Sequence, residues 1–212
     1  MVLQTPFSLN DTLILTGAHS SVLGGWVGLT EEARASIEDL DIEFENMSVK
    51  VITNRVFPQI KMADGFVGPA DEGKELEVRH WVARELIRAG LVRPRDEEIL
   101  DIRALTKVHW REMIQTGRQI STLPENFYPK LRRYLEFLKE RASSDSAASQ
   151  EYDRAIRLAY DIRDCRLRKI VTLAAAPAQT ENVLKSLSGE ERFLYDSIFA
   201  LVSSWKLKIL KR

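Results

Sequence analysis

The sequence predicts an α+β protein, a small β-rich module followed by a mainly α-helical bundle. Up to residue 95 the apolar residues come in short, partly alternating runs broken by Gly and Pro, the grammar of strands and turns. From Glu97 onward they recur every three to four positions over long stretches, the grammar of amphipathic helices. The length, 212 residues, suits one domain or two small ones. The chain divides accordingly into a variable N-terminal extension (1–29), a small β-rich domain (30–95) and an α-helical domain (96–212).

Met1–Leu29 is uncharged apart from Asp11 and lacks the basic start and continuous apolar stretch of a signal peptide. Thr30-Glu31-Glu32 reads as a capped helix start, with a short helix to about Leu40. Asp41 to Thr53 alternates in part (Ile42, Phe44, Met47, Val49, Val51) and reads as a strand. Val56 to Glu72, with Pro58, Gly65, Gly68 and Pro69, reads as loop or short strands joined by turns. Leu76 and Val78 form a short strand entering a helix over about His80–Ala89. Gly90 closes that helix, Leu91 packs back on it, and a strand at Leu91–Val92 ends at Pro94. The core of this module falls on Val78, Trp81, Leu86 and Val92.

A helix over about Ile99–Gly117 carries Leu100, Leu105, Val108, Trp110 and Ile114. Pro124 suits the first turn of the next helix, whose stripe is Phe127, Tyr128, Leu131, Tyr134, Leu135 and Leu138. Arg141–Ser149 is small and polar, a surface connection. A long helix from about Gln150 to Ala175 is apolar on more than one side, so it sits centrally or faces a partner. Ser188-Gly189-Glu190-Glu191 is a capping box, and the last helix, about Gly189–Leu210, carries Leu194, Ile198, Leu201, Val202, Trp205 and Ile209.

The composition, 44% hydrophobic and 29% charged, is that of a soluble globular chain, and no apolar run approaches the roughly 20 residues of a bilayer span. Net charge is +0, divided into −4 over residues 1–95 and +4 over 96–212. A dedicated nucleic-acid binder would carry a strong basic excess. Cys165, the one cysteine, gives no disulfide framework and reads as a small helix-packing residue in a reducing interior. The three histidines have no ligand spacing, there is no phosphate loop, and the carboxylates of the long helix sit three to four positions from arginines, as solvated ion pairs do. The expectation is a protein that is not an enzyme, with no catalytic residues, cofactor or metal.

Two features point to binding instead. The basic run Arg163, Arg166, Arg168, Lys169 has three readings: a charged face beside an apolar stripe, guanidinium forks pairing with carboxylates of a neighbouring subunit, or a phosphate site. The aromatic stripe Phe127, Tyr128, Tyr134 reads either as core or as interface, since aromatics and Arg together mark interface hot spots. A helical nucleic-acid-binding regulator using Arg163–Lys169 and the C-terminal lysines is the alternative function.

At these residues the chain resembles a subunit of the GINS replication complex. Leu123-Pro124-Glu125-Asn126-Phe127-Tyr128 matches that family's Leu-Pro-x-x-Phe-Tyr helix start, and Arg166-Leu167-Arg168-Lys169-Ile170 its Arg-x-x-Lys-Ile-type segment. Leu187 onward matches its final helix, and Gly73, Val78, Trp81, Ala83, Leu86, Gly90 and Val92 its small domain, with Arg79 where the family has Pro. The small domain precedes the helical one, which resembles the permuted subunit type, and compact loops resemble the archaeal form.

The resemblance implies a non-catalytic scaffold that assembles with other GINS subunits into a homo- or heterotetramer. It implies binding to the MCM helicase and a Cdc45/RecJ-like protein in the replicative helicase, and contacts to polymerase or primase. DNA contact would be indirect or weak and no membrane is involved. The location would be cytoplasmic and nucleoid-associated, or nuclear in a eukaryote. Phe127, Tyr128, Leu131, Tyr134, Arg166, Arg168 and Lys169 would then lie at the subunit interface.

Overall fold

The computed structural model describes residues 37–62, 65–95, 100–114, 119–143, 145–176 and 181–209. The expected extension 1–29, the helix start at Thr30 and the last two residues, Lys211 and Arg212, lie outside them.

The first described element is a helix, α1 (residues 37–46), which agrees with the helix expected to about Leu40 and continues through Asp41–Asn46, where a strand was expected. Ile42 and Phe44 suggest alternation, but Leu40, Phe44 and Met47 also fall at i, i+4 and i+7. The helical period prevails because this face packs inward: Phe44 is 2% exposed and Ile42 points to solvent.

The strand begins only at β1 (Ser48–Thr53), which turns Val49, Val51 and Thr53 inward. It is the centre of a three-stranded antiparallel sheet, paired on one side with β4 (Glu75–Arg79) and on the other with β5 (Val92–Pro94). Between β1 and β4, β2 (Ile60–Met62) and β3 (Gly65–Val67) form a separate antiparallel pair.

Helix α2 (His80–Arg88) packs across the sheet. Arg79 precedes it at φ −69°, ψ 151°, a conformation Pro would also adopt, so the helix starts at the same place without the Pro. Gly90, at φ +67°, reverses the chain as expected: its N–H donates to the Ile87 carbonyl, and Leu91 N–H to that of Leu86. Leu86 and Val92 are buried in a cluster with Val49, Val51, Phe57 and Val82, and Val78 and Trp81 pack against it, half-buried.

The helical part comprises α3 (Ile102–Ile114), α4 (Phe127–Ala142), α5 (Ser146–Ala175), the short α6 (Glu181–Leu184) and α7 (Gly189–Ile209). Three boundaries differ from expectation. Helix α3 starts at Ile102 and not near Ile99. Helix α4 starts at Phe127, so Pro124 lies before the helix and Pro129 occupies its first turn, where the missing N–H has no intrahelical acceptor to lose. Helix α5 starts at Ser146, because the Asp145 side chain accepts the Ala147 N–H and turns the small polar run into a first turn.

Helix α5 is the hub, packing against α3, α4 and α7. One core joins Leu105 and Val108 of α3, Phe127, Leu131 and Leu138 of α4, and Ala155, Ala159 and Ile162 of α5. A second joins Ile170, Leu173 and Ala174 of α5 to Tyr195 of α7.

Helix α1 ties the sheet module to the bundle. The Phe44 ring stacks on His80 of α2 at 4.0 Å and lies under the Arg133 guanidinium of α4 at 4.5 Å. Glu45 binds both Arg84 of α2 (2.7 Å) and Arg133, and Asp41 binds Arg132 (2.6 Å). Leu40 rests on Gly189, where a Cβ would meet its methyls at 3.1 Å, so the glycine of the capping box admits α1.

Candidate subunit-assembly site

The basic run on α5 divides by helical geometry. Arg166 and Lys169 are three residues apart and face inward, while Arg163 and Arg168 face solvent. Arg163 pairs with its neighbour Asp164 at 2.7 Å and stacks on Tyr160, and Arg168 Nε donates to the Asp164 carbonyl.

Arg166 is fully buried, and each of its five N–H groups has an acceptor. Nε and Nη2 form a fork onto the two carboxylate oxygens of Glu191, the Nη2 bond being 2.6 Å. Nη1 donates to Glu112 Oε2 and to the Ser121 carbonyl, both at 2.9 Å, and Nη2 also reaches the Ser186 carbonyl at 3.5 Å. Lys169 Nζ donates to Glu112 Oε1 (2.6 Å) and to the Glu112 carbonyl (2.9 Å), and the Ser121 hydroxyl donates to Glu112 Oε2. Tyr128 of α4 donates its phenol to Glu191 Oε1 at 2.7 Å. Glu191 remains the capping-box residue, accepting the Ser188 N–H at 3.1 Å while its own N–H donates to the Ser188 hydroxyl at 3.3 Å.

Two cations and two carboxylates from α3, α5 and α7 thus neutralise one another with Tyr128 and Ser121 completing the shell. Burial pushes the Glu112 carboxyl upward, but the hydrogen bonds from Lys169 and Ser121 and the charge of Arg166 outweigh it and hold it below the usual range. Burial, and then the neighbouring Glu191 charge, raise the Tyr128 phenol, which stays a donor. For Arg166 burial acts downward and the Glu191 carboxylate more than offsets it, so the guanidinium stays charged. No reaction is evident here: every ionised group is matched, and among the described residues no set of His, Cys, Asp and Glu could hold a metal ion.

The structure therefore brings Phe127, Tyr128, Leu131, Tyr134, Arg166 and Lys169 into or against the chain's own core, and leaves Arg168 as the exposed one of the seven residues expected at an interface. Tyr134 donates its phenol to Glu151 at 2.6 Å. The carboxylates that the arginine fork was expected to find in a neighbour are supplied within the chain by Glu112 and Glu191. Sequence reasoning identified Glu191 only as a cap and passed over Glu112, an acid on the inner face of α3 in line with Leu105 and Val108, which was the signal available. Cys165 is half-buried, its thiol 3.8 Å from the Glu112 carbonyl.

Above this network lies an apolar groove between α5 and α7, about 570 Å³ in volume, lined by Leu167, Ile170, Leu194, Ile198 and Leu201. Tyr128, Arg166 and Glu191 form part of its wall, and Arg132, Arg163 and Glu190 its polar rim. Leu167, Val171 and Leu201 remain 42–48% exposed, and the stripe continues along α7 to Trp205 and Ile209, 59–61% exposed. An apolar surface of this extent with a charged rim is the pattern of a protein–protein contact.

No described helix is long and apolar enough to cross a membrane. Comparison with curated proteins returns no match. The family model for the GINS complex protein helical bundle domain (Sld5) matches residues 99–210, which include α3 to α7. That match covers more than half of the chain, and the chain accordingly belongs to the GINS family, whose members act in DNA replication as non-catalytic scaffolds alongside other GINS subunits.

Proposed function

We propose that this chain is a GINS subunit that joins its tetramer through the α5–α7 groove, in the permuted, archaeal type of subunit. The assembled complex is a scaffold that links the MCM helicase to a Cdc45/RecJ-like protein, contacts polymerase or primase, and resides with the nucleoid. Residues 96–212 serve as the assembly domain and 30–95 as an accessory module, with 1–29 a variable extension.

The observation that carries the reading is the solvent-facing apolar groove, backed by a buried charge network that holds α5 and α7 in fixed relation. A rigid, pre-formed face loses little conformational freedom on association. Phe127, Tyr128, Leu131, Tyr134, Arg166 and Lys169 then contribute to assembly from behind the face, by setting its shape, and Arg168 from the surface.

The solution mass of the chain, alone and mixed with an unpermuted GINS subunit, tests this by light scattering after size exclusion. A tetramer-sized species is expected in one of the two runs. Leu167→Asp and Leu201→Asp place a charge on the exposed face and are expected to abolish that species while leaving the helical circular dichroism unchanged. Full assembly by both variants excludes the groove as the interface, and a monomer in both wild-type runs excludes the assembly reading itself.

A further inference from the structure

A second groove lies between α3 and α5, on a part of the bundle distinct from the α5–α7 face. Ile102, Arg103, Thr106, Lys107, Trp110 and Arg154 line about 550 Å³, with no carboxylate among them. Arg103, Lys107 and Trp110 stand at i, i+4 and i+7 on α3, a single column on the helix surface. Arg154 faces them from α5, and all four side chains are exposed. We infer that this groove binds single-stranded nucleic acid, the three cations taking backbone phosphates and the Trp110 ring stacking on a base.

Acids stand nearby, each with a contact other than these three cations. Asp101 accepts the Ala104 N–H at the start of α3, Glu151 accepts the Tyr134 phenol, and Asp161 sits 3.4 Å from His109. Glu151 and Asp153 line the adjacent hollow together with Arg154 and Arg157, without an ion pair to Arg154. Arg103, Lys107 and Arg154 hold no ion pair with any described residue. Trp110 is 66% exposed, whereas the opposite face of α3 supplies Leu105, Val108 and Glu112 to the interior.

An apolar helix docked here would bury three unmatched charges, which is costly. An acidic peptide would satisfy the charges but leave the indole without a flat partner. A single strand supplies both, and the Arg103–Lys107 separation of about 6 Å along the helix suits neighbouring phosphates.

The site does not depend on the assembly reading. Fluorescence anisotropy of the full chain with a labelled oligothymidylate is expected to give binding whose logarithm falls linearly with log salt. Arg103→Gln/Lys107→Gln/Arg154→Gln should weaken binding at least 10-fold and flatten the salt slope by about 2, since each lost single-strand phosphate contact removes about 0.7. Trp110→Ala should cost roughly 5- to 150-fold with the salt slope retained, and Trp110→Phe should restore most of it.

Absence of wild-type binding at low salt overturns the inference, as does unchanged binding by the triple variant. Displacement of the oligonucleotide by polyglutamate with the same dependence on Trp110 assigns the groove to an acidic protein instead. Loss of tetramer in these variants assigns it to a subunit contact and likewise overturns the inference, whereas DNA binding by a chain that never assembles overturns only the assembly proposal.

Discussion

Arg166 connects three segments of the bundle through one guanidinium, joining Glu112 of α3, Glu191 of α7 and the carbonyl of Ser121. Arg166→Met would leave two buried carboxylates with fewer partners, and a loss of about 3–5 kcal/mol in urea unfolding is expected. Arg166→Lys keeps the charge but cannot form the fork onto Glu191, so it should fall between Met and wild type. The same network sets an acid sensitivity. The folded-state Glu112 carboxyl is depressed below its ordinary value of 4.5, so its contribution is complete above that value and is lost as pH falls through the lower folded value. Glu112→Gln should therefore be less stable than wild type at neutral pH, and its unfolding free energy should decline less steeply below about pH 4.5 in urea titrations across that range.

At the scale of elements, α1 is decisive because it belongs to both halves of the molecule. Its sequence supports two periods over Leu40–Met47, and the helical one is selected by tertiary contacts: Phe44 between His80 and Arg133, Glu45 between Arg84 and Arg133. Phe44→Ala removes a ring that is 2% exposed, and a cost of about 3–5 kcal/mol in thermal or urea unfolding is expected. If α1 were peripheral, the cost would be a fraction of that. Helix α5 gives a smaller and local case. Asp145 caps its first turn through the Ala147 N–H, so Asp145→Ala should cost about 1 kcal/mol in the same measurement.

For the whole molecule, the buried charges of the bundle core are matched while part of its apolar surface stays uncovered. Glu112, Arg166, Lys169 and Glu191 leave no net charge inside the bundle, while apolar side chains of α5 and α7 stay exposed along the groove and beyond it. Trp205, 61% exposed near the end of that stripe, offers a direct readout. Assembly through this face should shift tryptophan emission to the blue as water leaves the indole, and Trp205→Phe should remove most of that shift. A shift retained by Trp205→Phe would place the contact elsewhere on the chain.

The succession of a small strand-rich module and then long helices, the helical stripes of α4, α5 and α7, the Gly90 reversal and the Ser188–Glu191 cap were legible in the sequence, because each depends on residues close to one another along the chain, whereas α1 beyond Leu40 and the short α6 were not. Two boundary errors also had local causes, a start of α4 read at Pro124, three residues before Phe127, and a cap at Asp145 not credited. The partners of the basic run were not legible. Arg166 and Lys169 look like their neighbours Arg163 and Arg168 in composition, and helical phase alone says that they face another side, not what stands there. Glu191 is 25 residues away and Glu112 lies 54 and 57 residues away from the two cations. Sequence alone thus determined the class of fold and the family it resembles, since periodicity and caps are short-range. Tertiary structure decided which charges are buried, that α1 is a helix and which apolar face stays open, because those outcomes depend on what distant segments bring into contact.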